Sequence, residues 1–318
     1  MKILHIVPEL NEANGVFVVA RLLARESGDA AVVGLDEGLR RIDDGDVEEV
    51  WVHGMWLPRE WAVCWRVLCA GKRLVRMTHG SLSPVYLKLQ GRWKKWLVGP
   101  IERYWLRKAE RIVATCDAEK EWIEAYLGKK CPEMEIVDLK RFFDFSRVER
   151  VEGDESVFNA EAQRRRGAEN DELHLLYLGR RHPLKGVEFL ESAVSELNSS
   201  TPPLPTPPLL KIVSNAFGAE LEKVWEWCDV LVLPTLSENF GLVVAEALER
   251  GKRVITTDGA PVWGDDLNRV ERVETCRVGG EIMAGYGGRL IYLKGYRDGR
   301  KETRVELLKA AILGGGGW

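Results

Sequence analysis

Glu238 and Glu246 bracket a glycine in the run Leu231-Val-Leu-Pro-Thr-Leu-Ser-Glu-Asn-Phe-Gly-Leu-Val-Val-Ala-Glu-Ala-Leu-Glu-Arg-Gly251, and Arg180 and Lys185 precede them in Gly179-Arg-Arg-His-Pro-Leu-Lys-Gly186. Carboxylates such as Glu238 and Glu246 only accept hydrogen bonds, which suits ligands rich in hydroxyl donors. Arg180 offers a planar fork and Lys185 a point charge, so together they could neutralise a phosphate or diphosphate. Gly241 lets such an anion approach the backbone closely.

These residues need particular elements to hold them. Val230–Leu233 reads as a buried strand stopped by Pro234, which has no amide to give a sheet. Thr235–Asn239 is then a polar loop, and a helix starts near Phe240 or Gly241 and stops at Gly251. The first amides of that helix lack carbonyl partners and can bind an anion. Leu173–Gly179 repeats the pattern: a strand, the Arg180–Gly186 loop, then a helix to Leu197. Ligands of α/β sheets collect outside the carboxyl ends of strands, where both loops fall. By spacing alone the two glutamates fit a solvated surface helix equally well. Pro234, Ser237, Phe240 and the Gly251 stop favour the ligand reading.

The amino-terminal half carries weaker signals. After a first strand, Lys2–Val7, a loop containing Gly15 leads into a helix, Val16–Arg25. Strands follow near Ala30–Gly34, Glu49–His53, Arg73–Thr78, Arg111–Thr115 and Met134–Val137. This alternation of strand and helix predicts covered parallel sheets. His53-Gly54 and His79-Gly80 each follow a strand, hence stand at the ligand edge, and His79 is the stronger candidate. Asp44-Gly-Asp46 reads as a turn. Residues 86–111 hold eight Lys/Arg against two acids, interleaved with Trp93, Trp96, Tyr104 and Trp105. Pro100 is expected to divide this stretch into two helices. It suits an anionic lipid surface or a phosphorylated acceptor, or equally two solvated helices with core tryptophans.

With 318 residues the chain can hold two domains. Residues 1–150 are expected to form the first domain, 151–172 a charged linker and 173–318 the second. A formal net charge of −3 gives no global reason to expect nucleic acid. The six cysteines show neither C-x-x-C pairs nor zinc-type spacing, which fits a reducing compartment. The first apolar run is too short for a signal peptide, and no run approaches the ~18 residues of a membrane span. A cytoplasmic protein is expected, with peripheral contact at the inner face of the membrane through 86–111 as an option.

Ser237-Glu-Asn-Phe-Gly with Glu246-Ala-Leu, together with Gly179-Arg and Lys185-Gly, resembles the donor-binding signatures of the family 4 retaining glycosyltransferases. The resemblance covers residues 1 to about 268 and is strong only at these two motifs. It implies a GT-B fold, two Rossmann-like doubly wound domains facing across a cleft, with the second domain shortened. It further implies a UDP- or GDP-linked sugar donor, no metal, and a glycan or lipid-linked acceptor as in lipopolysaccharide or other surface polysaccharide synthesis. By the resemblance Arg180 and Lys185 stabilise the departing diphosphate. Glu238 contacts the transferred sugar and Glu246 the ribose. Asn239, Phe240, Gly241 and Leu242 line the diphosphate, Gly15 faces it from the first domain, and His79 lies near the reacting carbon. A strand and helix usual in the family are expected to be missing after Lys185-Gly186, and beyond Asn268 the glycine-rich segment departs from it. A catalytically weakened relative that binds a sugar nucleotide and supports a partner enzyme is the alternative.

Overall fold

Short β-branched runs alternate with amphipathic helices along the chain and build two sheets. The computed structural model describes residues 2–12, 14–89, 91, 96–145, 172–204, 206–214, 216–265, 274–278, 281–286, 290–297 and 299–313. The expected linker at 151–172 lies, except for residue 172, outside the described residues. The chain divides into two units, Met1–Phe142 and Phe143–Trp318.

In the first unit β1 (Ile3–Val7), β2 (Ala30–Gly34), β3 (Glu49–His53), β4 (Arg73–Met77), β5 (Arg111–Ala114) and β6 (Glu133–Ile136) are all parallel, in the order β2-β1-β3-β4-β5-β6. Every residue of β3 is buried, as a sheet covered on both faces requires. Leu4, Ile6, Val50, Val52, Leu74 and Ile112 form the centre of its apolar core. The strand order reverses between β1 and β3, so the loops leaving those strands diverge and open a crevice at the carboxyl edge.

Leu35–Arg41 is a helix, although Gly38 in its middle lowers its intrinsic propensity. Pro100 stands where the division was expected, after helical residues Trp96 and Leu97 and a turn at Val98. It sits in the first turn of helix Gly99–Lys108, where its missing amide costs nothing, and a separate short helix spans Pro84–Leu89.

In the second unit β7 (His174–Leu178), β8 (Leu209–Val213), β9 (Val230–Val232) and β10 (Arg253–Thr257) are parallel. The carboxyl-terminal stretch, expected only to depart from the family, supplies three more strands: β11 (Glu274–Val278), β12 (Glu281–Tyr286) and β13 (Leu290–Leu293). β13 pairs parallel with β10, and β12 and β11 follow antiparallel at the edge. The order β11-β12-β13-β10-β9-β7-β8 reverses between β7 and β9, which places the crevice of this unit between the loops carrying Lys185 and Glu238. Helix Lys301–Ile312 packs on this unit through Val305, Leu307, Leu308, Ala311 and Ile312.

Phe143 and Phe145 belong to the second unit, although they were expected with the first half. Phe143 stacks on Phe240 with ring centroids 6.0 Å apart, and Phe145 meets Trp263 edge-on at 6.2 Å. Between them the Asp144 amide donates to a Glu249 carboxylate oxygen at 3.2 Å.

Candidate active site

Three loops meet at the carboxyl edge of the second sheet because their backbones bond one another. The Leu184 carbonyl accepts from the Leu236 amide at 2.7 Å and from the Thr235 hydroxyl at 3.0 Å, joining the loop after β7 to the loop after β9. At Gly186 φ is +62°, and a Cβ there would lie 2.1 Å from the Pro234 carbonyl oxygen, so only glycine allows this approach. The loop after β10 joins in turn: Glu238 donates its amide to the Gly259 carbonyl at 2.7 Å, and the Thr257 hydroxyl bonds the Thr235 carbonyl.

This knitting brings Lys185 against Glu238 as an ion pair, with side chains 26% and 20% exposed, respectively. The other Glu238 oxygen accepts from the Asn239 amide at 3.2 Å. Gly241, at φ +74° and ψ +62°, is the N-cap of helix Leu242–Glu249, which therefore starts slightly later than expected. No side chain among the described residues caps this helix, so the amides of Leu242 and Val243 are left unpaired within it. A Cβ on Gly241 would be 3.3 Å from Cγ of Glu238, so the ion pair stands beside the helix mouth. Phe240 is buried, and its carbonyl accepts from the Trp263 indole at 2.6 Å, which holds the backbone just before the turn. Further along the helix, burial pushes the Glu246 carboxyl above its ordinary range, with Arg250 opposing. The Glu246 carboxylate makes no hydrogen bond among the described residues.

Arg180 is not drawn into this cluster. It is exposed, its carbonyl is held by the Tyr177 hydroxyl at 2.8 Å, and its guanidinium makes no ion pair among the described residues. Its neighbour Arg181 is committed to Glu191, with nitrogen–oxygen distances of 2.6 and 3.1 Å. The arrangement supplies one paired cation, one free cation and a helix mouth, where an entering diphosphate could take Lys185 from Glu238 and leave the carboxylate for hydroxyls.

Gly15 and His79 belong to the first unit. Gly15 is the first residue of helix Gly15–Ser27 rather than part of a turn, and Asn14 caps that helix by accepting from the Val16 amide at 3.0 Å. His79 ends a chain of three imidazoles: Nδ1 of His5 lies 2.9 Å from Nε2 of His53, and Nδ1 of His53 lies 2.9 Å from Nε2 of His79. Strand register explains the chain. His5 pairs with Trp51 across β1 and β3, and His53 lies two residues further on the same face, opposite Met77 of β4. Burial lowers His5 to about 4 and His79 to about 3, and holds His53 well below its ordinary range with His79, His5 and Arg76 contributing. All three are neutral at pH 7.

The backbone at His79 is itself clamped. Its φ of +50° is uncommon for a non-glycine residue. One oxygen of buried Glu119 accepts from the Thr78 hydroxyl at 2.7 Å and the Gly80 amide at 2.6 Å, on either side of it. The other oxygen takes the Thr115 amide at 2.8 Å and hydroxyl at 2.9 Å. Sequence reasoning missed both His5 and Glu119. The signal for His5 was a histidine in an otherwise apolar strand, Ile3-Leu-His-Ile-Val7.

Among the described residues no group of three His, Cys, Asp or Glu side chains is placed to hold a metal ion. The first unit matches a known sequence profile over residues 7–137. The profile is that of a glycosyl transferase 4-like domain, and the match covers less than half of the chain. The D-inositol 3-phosphate glycosyltransferase of Paenarthrobacter aurescens is 25% identical over 181 residues, an alignment covering 47% of this chain and 41% of that protein. The chain thus spans less than half the length of this curated relative. Anabaena HepE, solved in complex with UDP, superposes with a TM-score of 0.52 at 15% identity over 98% of this chain and 94% of that one. The α,α-trehalose 6-phosphate synthase of Burkholderia multivorans gives 0.55 at 8% identity over 98% and 88%. These likenesses establish the GT-B fold for the two parallel-sheet units. The residues matched by the profile include His79 and Gly15, and the second unit carries the Lys185–Glu238 pair.

Proposed function

We propose that the chain is a family 4 glycosyltransferase that moves a sugar from a UDP- or GDP-linked donor to a glycan or lipid-linked acceptor, with retention and without a metal. One observation carries the reading: the uncapped mouth of helix Leu242–Glu249, opened by left-handed Gly241, lies beside the Lys185–Glu238 pair. Breaking a bond to a diphosphate develops negative charge on its oxygens. Helix amides fixed in advance at that place, joined by Lys185 as it leaves Glu238, lower the barrier. Glu238, freed from Lys185, would accept from hydroxyls of the sugar, and Glu246 from those of the ribose. The UDP held by Anabaena HepE supports a uridine donor first among the alternatives.

The test is turnover of UDP- and GDP-sugars with a panel of glycan and lipid acceptors, together with calorimetric binding of the same donors. Transfer abolished by Lys185→Ala supports the enzyme. Donor binding without transfer to any acceptor, or slow hydrolysis in its place, supports instead the weakened relative that serves a partner.

A second observation bears on the acceptor. Leu97, Ile101 and Tyr104 are exposed at helical spacing, Trp96 is 77% exposed beside them, and Lys108 lies over the Tyr104 ring. Trp105 instead packs on the core, and Arg103 and Arg107 are turned inward to the carbonyls of Tyr126 and Leu127. Trp93, Lys94 and Lys95 lie outside the described residues. An exposed apolar stripe edged by lysine suits a peripheral contact with an anionic membrane carrying a lipid-linked acceptor. Vesicle binding lost in Ile101→Glu supports it, and binding unchanged in that variant rejects it. No described helix is long and apolar enough to cross a membrane.

A further inference from the structure

The three-histidine chain has two polarities that satisfy both of its 2.9 Å contacts. In one, each Nδ1 carries the proton: His5 donates to His53, His53 donates to His79, and His79 keeps a free Nδ1–H. In the other, each Nε2 carries the proton and donation runs from His79 inward to His5. The two differ at the buried end. Nε2 of His5 is shut from solvent and has no hydrogen-bond partner among the described residues. The inward polarity would leave a buried N–H there without an acceptor. The outward polarity leaves only a lone pair, the less costly of the two vacancies.

We infer that His5 and His53 are positioning residues that lock His79 in its Nδ1–H tautomer, so that His79 offers a neutral hydrogen-bond donor to an oxygen of the substrate. The assignment rests on the transferase reading only for the identity of that oxygen, a sugar hydroxyl or a ring oxygen. A donor fixed in this way cannot serve as a general base, because its other nitrogen is occupied by His53. Its Nδ1 makes no hydrogen bond among the described residues, and the residue is half-buried, so the donor is available to a ligand. The Glu119 clamp on Thr78 and Gly80 fixes the backbone on both sides, so tautomer and direction are set by separate elements.

The charged groups around the chain do not reverse this polarity. Arg76 approaches His53 and donates to the Gly54 carbonyl at 2.9 Å, and it is itself paired with Glu102 at 3.5 Å. Glu60 accepts from the Leu57 amide at 3.0 Å, Glu49 from the Trp51 indole at 2.6 Å, and Glu119 is filled by four donors. Among the described residues neither Glu49 nor Glu119 hydrogen-bonds an imidazole of the chain.

The test is a long-range proton–nitrogen NMR spectrum of the full chain labelled with 15N-histidine, with His79→Asn used to assign the His79 signals. The expected spectrum shows protonated Nδ1 and unprotonated Nε2 for His79, unchanged from pH 8 down to pH 5.5. A protonated Nε2, an exchange-averaged pair or titration near the ordinary histidine range would overturn the inference. His53→Phe should release the tautomer and lower kcat on the order of tenfold while leaving KM for the nucleotide sugar unchanged, as loss of one oriented hydrogen bond would. His53→Gln, whose amide can accept from His5 and donate to His79, should restore most of it. An equal loss in both variants, with the wild-type tautomer retained, would also overturn the positioning role. The spectrum needs no turnover. A chain that transfers no sugar but shows the locked tautomer defeats the transferase reading alone, and a transferring enzyme with the opposite tautomer defeats this inference alone.

Discussion

Lys185 and Glu238, 53 residues apart in sequence, form an ion pair at the carboxyl edge of the second sheet. Each therefore holds the other in place, and each is also a candidate ligand contact. Lys185→Ala should lower kcat about a hundredfold or more, the roughly 3–4 kcal/mol typical of losing one fixed donor at a developing anion. Steady-state rates for the single variants and for Lys185→Ala with Glu238→Gln test the coupling. The double variant should lose clearly less than the sum of the singles.

Gly186 gives a sharper structural prediction when set beside Gly28. Both have φ near +65°, +62° and +68°, but a Cβ on Gly28 meets nothing within 4 Å whereas one on Gly186 strikes the Pro234 carbonyl. Gly28→Ala should cost only the left-handed backbone penalty, about 1 kcal/mol. Gly186→Ala must add a displacement of the loop that carries Lys185, and urea unfolding should show a loss larger by at least about 1–3 kcal/mol. Equal losses would mean that the two loops are not held as closely as described.

The histidine chain makes stability depend on acid. The buried rings of His5 and His53 stay neutral in the folded chain, while the unfolded chain binds a proton at each near pH 6.5. The unfolded state then holds more protons below that pH, so stability is fully present above about 6.5 and falls as pH drops toward about 4, the folded value for His5. Each ring contributes a slope of about 1.4 kcal/mol per pH unit in that window. Denaturant midpoints from pH 7.5 to 4.5 should fall steeply in wild type and less steeply in His5→Phe.

Glu119→Ala should be among the most damaging changes in the first unit. It strands the Gly80 and Thr115 amides and two threonine hydroxyls in the interior. A buried donor left unsatisfied costs about 1–3 kcal/mol, so thermal unfolding should detect several kcal/mol. A loss below about 1 kcal/mol would indicate that water replaces the carboxylate.

Much of the fold could be read from the chain because parallel strands buried on both faces leave continuous apolar runs such as Val230-Leu-Val-Leu233. Residues 279–299 could not, since their glycines argue for loops while pairing with β10 imposes strands. The site divided in the same way. Glu238 and Lys185 were legible because each sits in a local motif. His5 acts through a neighbour far away in sequence that strand register supplies, and Glu119 reaches Thr78 and Gly80 from helix Asp117–Leu127. The profile match at 7–137 falls on the half where the local motifs are weakest, since it reflects the whole pattern of that domain rather than any single pair of residues.

The packing of Phe143 and Phe145 on Phe240 and Trp263 bears on how the molecule can be taken apart. A carboxyl-terminal fragment begun at residue 173, one residue ahead of the first strand of that unit, would lose the aromatic contacts beside the turn that opens helix Leu242–Glu249. Aromatic pairs of this kind are worth about 0.5–1.5 kcal/mol each beyond their buried area. Cutting at Phe143 keeps them, so the natural scissor point lies ahead of the long charged connection and not behind it.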